Sequence, residues 1–117
     1  VDTRCKIVDA SQAAKIAKAG ATVVVGYFDP MIAWHSLWLT SFKKPDRSLL
    51  VLIATPGNCI LPGRARAELV AAVRVVDYVS EARLEIAGAI DVRSQDRELF
   101  QDLLQLVHSR QSSATPA

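Results

Sequence analysis

Cysteine and histidine are scarce in this chain, with two of each among 117 residues, and none stands at metal-ligand spacing. Cys5 and Cys59 form no C-x-x-C pair and His35 lies far from His108, so a metal site has no support in the sequence. Glycine and proline number only five each, which excludes a collagenous or linker-like chain. An excess of one charge is also missing. Fourteen Lys+Arg face twelve Asp+Glu, a net of +2 without the basic block that neutralises several phosphates of a duplex, so no nucleic-acid partner is expected. Apolar runs are short: the longest, Leu49 to Ala54, falls far below the roughly 20 residues that span a bilayer, and no membrane partner is expected. With no signal-like segment visible, Cys5 and Cys59 read as reduced thiols in a cytoplasmic setting.

What is present is a half-apolar composition, 50% hydrophobic, in a chain long enough to bury roughly two thirds of its unfolded surface without a disulfide or a metal. Asp9-Ala-Ser-Gln12 has the order of a capping box, and Ala13, Ile16 and Ala17 give the helix behind it a small apolar face that Gly20 ends. Ala21-Thr-Val-Val-Val25 is β-branched and too short for a helix, which suits a strand buried on both faces. Gly26 to Pro30 breaks that pattern, and Met31 to Phe42 returns to helical character. Leu49 to Ala54 is a second strand, followed by a loop from Thr55 to Gly63. Leu69, Ala72, Val73 and Val76 recur at i, i+3, i+4 and i+7 and predict a third helix, with Val75 to Val79 supplying a third strand. One more strand is expected between Ser80 and Arg93. Ser94 then caps an amphipathic helix striped by Phe100, Leu103, Leu104 and Val107. The expectation is one α/β domain over residues 1–110, a three-layer α/β/α sandwich on a Rossmann-like parallel sheet of about four strands, with a frayed tail at 111–117.

Gly26-Tyr-Phe-Asp-Pro-Met-Ile-Ala-Trp-His35 lies at the carboxyl end of one strand and the amino end of the next helix, where open parallel sheets hold ligands. It resembles the G-x-F-D-x-x-H-x-G-H segment of cytidylyltransferase-like nucleotidyltransferases, a superfamily that includes the ADP-heptose synthase nucleotidyltransferase domain and the glycerol-phosphate cytidylyltransferases. Gly26, Phe28, Asp29 and His35 match. Leu61 to Val79 is similar to the family's R-x-x-x-(L/V)-x-x-(L/V)-x-x-V-D-x-V signature, with Arg66 in the arginine position. The resemblance covers about Thr22 to Val79. It implies nucleotide binding by Gly26, Tyr27, Phe28, Asp29 and Arg66, a catalytic role for His35, CTP or ATP as the nucleotide, and Mg2+ as a cofactor only where activity survives.

The departures are specific. Ile32 replaces the first histidine, so a group able to stabilise a pentavalent phosphate is lost. Trp34 replaces the glycine that gives the nucleotide room. The family's later serine/threonine phosphate-binding segment is absent from a recognisable place; Ser112-Ser-Ala-Thr115 echoes only its composition. Asp29 also suits a helix cap, Lys43 and Lys44 a solvated charge run, and Trp34 and Trp38 either a plug in the pocket or a partner-facing surface. The expected function is therefore a degenerate, catalytically inactive nucleotidyltransferase-like domain kept as a scaffold or a weak nucleotide binder. The alternatives are an active divergent nucleotidyltransferase acting on a phosphorylated small molecule and a non-enzymatic homodimeric interaction module. A dinucleotide-binding role has little support, because no G-x-x-G follows Gly26 and no acidic residue ends the second strand.

Overall fold

The computed structural model describes residues 2–29, 32–55, 57 and 59–114. Four parallel strands, β1 (Thr22–Gly26), β2 (Leu49–Ile53), β3 (Tyr78–Ser80) and β4 (Ile90–Asp91), form one sheet in the order β3-β2-β1-β4. β1 pairs with β2 from Thr22 opposite Leu49 to Gly26 opposite Ile53, and with β4 at Val24 and Val25. This is the expected Rossmann-like α/β architecture, with β1 central and the sequence strands of Val23 and Leu49 adjacent.

Side-chain alternation sorts the core onto the two faces of the sheet. Val24, Val51, Ile53 and Val79 meet α2 (Ala33–Phe42) and α3 (Gly63–Ala71) through Leu39, Ala67 and Val70. Val23, Leu50 and Leu52 meet α1 (Ala10–Lys18) through Ala13, with Leu84, Ile86 and Ala89 of the following coil packed beside it. All five residues of β2 are buried, which is why its sequence is a continuous apolar run without alternation.

Asp9 closes the anticipated capping box with Gln12, and Gly20 turns the chain at φ 103°, a conformation with little cost only for glycine. Other boundaries move. α3 starts at Gly63 and stops at Ala71, before the end of the predicted stripe, because Ala72 to Val76 coils into turns that bring Asp77 against Leu49. The third strand accordingly shifts to Tyr78–Ser80. Ser94 lies inside α4 (Arg93–Ala114) rather than at its cap, and the helix runs through residue 114, past the expected tail boundary; only 115–117 of that tail lie outside the described residues, as do Pro30 and Met31. Of the predicted α4 stripe, Leu104 and Val107 are exposed, while the side chains of Phe100 and Leu103 are outside the description. The sheet's β3 edge is partly covered by the segment after η1 (Thr3–Lys6), where Ile7 bridges Val79.

Candidate functional site

The carboxyl end of β1 turns sharply. Phe28 takes a left-handed φ of 51°, rare for an aromatic residue, and its ring is fully buried. The turn aims the N–H groups of both Tyr27 and Phe28 at one oxygen, Oδ2 of Asp96 on the first turn of α4, each at 2.7 Å. Such convergence of successive backbone amides makes an anion-binding concavity. Gly26 is needed here for close approach: a Cβ would lie 2.8 Å from the Phe28 ring, 3.0 Å from Val92 and 3.1 Å from Asp96 Oδ2. The space beside Gly26 is filled by the protein's own Phe28, Val92 and Asp96.

His35 completes this cluster. It is third in α2, and its Nδ1 accepts the N–H of Ile32 at 3.0 Å, the reverse half of a capping box on a helix whose N-cap offers no side-chain acceptor. With Nδ1 accepting, Nε2 carries the proton and donates to Asp96 Oδ1 at 2.6 Å. Phe28 lies tilted against the imidazole at 5.1 Å between centroids, and Trp38 meets it edge-on at 5.4 Å. His35 is 2% exposed and Asp96 4%. Both imidazole nitrogens are therefore engaged, and His35 holds α2, the β1 turn and α4 together rather than facing an incoming phosphate.

Asp29 does not cap α2. Its carboxylate crosses to the loop before α3 and accepts Ile60 N–H at 2.6 Å and Leu61 N–H at 2.8 Å. Arg66, fully buried on α3, faces inward: Nε donates to Leu61 O at 3.0 Å, and Nη1 donates to Tyr27 O at 2.9 Å and Ala54 O at 2.7 Å. It clips together the ends of β1 and β2 and the loop that follows. Its Nη2 has no partner among the described residues. Lys43, read as part of a solvated run, instead pairs with Asp77 at 2.7 Å. Partial burial opposes ionisation of Asp77, but the Lys43 hydrogen bond, the Leu49 N–H and the lysine charge outweigh it and lower its pKa.

Trp34 and Trp38 part company. Trp38 packs on the core while Trp34 is 58% exposed, so the residue in the family's glycine position points to solvent and plugs nothing. Open hollows flank the cluster: one of about 440 Å³ at the start of α4, bordered by Tyr27, Ser94 and Arg97, and one of about 420 Å³ over the ends of β1 and β2, bordered by Thr55, Arg83 and Arg93. Arg97 lies over the Tyr27 ring and reaches its hydroxyl, and the Asp91 hydrogen bond engages Arg93 and raises its pKa. Cys5 and Cys59 are free and exposed. No cluster of ligands able to hold a metal occurs among the described residues, and no helix is long and apolar enough to cross a membrane.

No known protein family's model matches the chain, and a search of curated proteins returns no match. The site is thus described by its own geometry. Gly26, Tyr27, Phe28, Asp29, His35 and Arg66 do converge at the carboxyl edge of the sheet, each engaged by a neighbour within the chain. Sequence reasoning missed Asp96. Register gave no signal for it: Asp96 stands four residues before Phe100 on the apolar stripe, but Leu104 and Val107 of that stripe are exposed.

Proposed function

We propose that this chain is a catalytically silent, nucleotidyltransferase-like scaffold whose working surface is not its carboxyl-edge site. One observation carries the reading: the groups that would meet a nucleotide's phosphates, the Tyr27 and Phe28 amides and His35, are all hydrogen-bonded to buried Asp96. Ile32 adds no polar side chain to that cluster. The working surface is α2's outer side. The helix has no Asp, Glu, Lys or Arg in ten residues, and Trp34 and Leu37 are about 60% exposed on it, 58% and 60%. A surface helix without charge buries its outer side against something else, and tryptophan is the side chain most enriched at binding hot spots.

The test is a thermal-shift and calorimetric titration of the intact chain with CTP, ATP and GTP, with and without Mg2+. Occupancy at 100 times a dissociation constant adds about 2.7 kcal/mol; no nucleotide at millimolar concentration is expected to raise the melting temperature. Stabilisation that disappears in His35→Ala overturns this reading in favour of a divergent enzyme. In the dimeric alternative a second copy completes the sheet along an edge instead. Sedimentation distinguishes them, since a self-association module has twice the 12.7 kDa chain mass.

A further inference from the structure

The geometry points to Asp96 as a built-in occupant of an oxyanion seat, with the first turn of α4 as its stopper. The inference deepens the reading just given, since it names what keeps that site silent. Four features make the seat. Two consecutive amides converge on one oxygen at 2.7 Å each, which is how a backbone turn holds an oxyanion. A neutral imidazole donates to the other oxygen at 2.6 Å, oriented by the Ile32 amide on its far nitrogen. The left-handed Phe28 keeps the amides aimed. Gly26 leaves the space in which the anion sits, 3.1 Å from where its own Cβ would stand.

The occupant arrives from one element and the seat from two others. Tyr27 and Phe28 follow β1, His35 belongs to α2, and Asp96 comes 61 positions after His35 on a helix whose outer half carries exposed Leu104, Leu106 and Val107. The seat is therefore complete without α4. An anion with planar or tetrahedral oxygens, a carboxylate or a phosphate, satisfies the same three donors once the Asp96 side chain is gone. The intact chain excludes such ligands because a tethered carboxylate at high effective concentration outcompetes a free one.

Removing the occupant tests this. Asp96→Gly deletes the acetate-like side chain and leaves the three donors in place. Its melting temperature is expected to fall below that of the parent, and 100 mM sodium acetate or formate is expected to restore roughly 5 °C that sodium chloride at equal ionic strength does not. Inorganic phosphate does the same if the hollow beside Tyr27 admits it, and the parent chain gains nothing from any of these anions. The amide resonances of Tyr27 and Phe28 move on titration of the variant, as do those around His35. If Asp96→Gly is unfolded in chloride, the same titration is read as refolding by circular dichroism, with Asp96→Ser as a second variant of the same design. An acetate or formate response no larger in the variants than in the parent overturns the assignment. Nucleotide binding by the parent is a separate readout: it sinks the silent-scaffold reading even where acetate rescues the variant, and rescue can fail while the parent still binds no nucleotide.

Discussion

Arg66 offers the sharpest quantitative test, because a ligand-binding arginine and a structural clip respond oppositely to Arg66→Lys. Its three hydrogen bonds, to Leu61, Tyr27 and Ala54 carbonyls at 2.7 to 3.0 Å, lie in a fully buried setting. A hydrogen bond to a charged group contributes about 1.5 to 3 kcal/mol. At the lower figure, apt for neutral carbonyl acceptors, losing all of them costs about 4.5 kcal/mol. Lysine keeps the charge and can keep one bond, but lacks the planar fork that reaches both strand ends, so Arg66→Lys is expected to lose about 3 kcal/mol. With a urea slope near 1.5 kcal/mol per molar, the unfolding midpoint drops by roughly 2 M. A drop smaller than about 0.5 M refutes the clip and returns Arg66 to the list of ligand contacts. Arg66→Met as stable as the parent refutes it too, since the buried charge then costs as much as its hydrogen bonds contribute.

Gly26→Ala places a methyl 2.8 Å from the Phe28 ring and 3.1 Å from Asp96, and the expected loss is about 2 kcal/mol of unfolding free energy in denaturant titration, within the range for overpacking. Asp77 has a lowered pKa, so the stability it contributes is present above its ordinary value of 3.8 and is lost as pH falls through the lower folded value; Asp77→Asn is expected to flatten the acid limb of a melting-temperature profile below about pH 4, and an unchanged limb rules the pair out as its cause. Trp34→Ser is expected to leave the melting temperature within the span of about 0.5 kcal/mol typical of surface changes while weakening self-association or partner capture. A large loss of stability there places Trp34 in the core instead.

The layers and the adjacency of the Val23 and Leu49 strands were legible because they rest on short-range pattern. The Leu49 run is apolar at every position since β2 is covered on both faces, and the Asp9 capping box and Gly20 stop are local hydrogen-bond and dihedral requirements that a few residues fully state. The end of α3 was not. Its apolar recurrence runs on to Val76, yet Asp77 accepts both Leu49 N–H and the Lys43 ammonium, and that long-range anchor pulls the chain out of the helix. Asp29 illustrates the same limit: beside a helix start it reads as a cap, and its true partners, the Ile60 and Leu61 amides, are about thirty residues away. The residues named for the candidate site lie together at the carboxyl edge of the sheet, since they follow from where a parallel sheet ends. What Tyr27, Phe28 and His35 bond depends on Asp96, which only the folding of α4 brings within reach.

Those partners decide how the departures from the nucleotidyltransferase pattern are to be weighed. Isoleucine where that pattern has its first histidine means one polar contact fewer, which a neighbouring group or a metal can replace. Filling the site is different in kind. Asp96 on the Tyr27 and Phe28 amides and Asp29 on the Ile60 and Leu61 amides are two carboxylates, each holding a pair of consecutive N–H groups at the sheet's carboxyl edge. A phosphate arriving there meets negative charge and occupied donors together, and to displace Asp96 it must strand a buried carboxylate whose three hydrogen bonds are the junction of β1, α2 and α4. Ligand binding at that position is thus coupled to partial unfolding of the domain, a cost of several kcal/mol for breaking a buried charged network. Ile32→His alone is for that reason expected to confer no nucleotide binding, whereas the same change combined with removal of the Asp96 carboxylate is expected to be the first variant in which nucleotide affinity rises measurably by calorimetry.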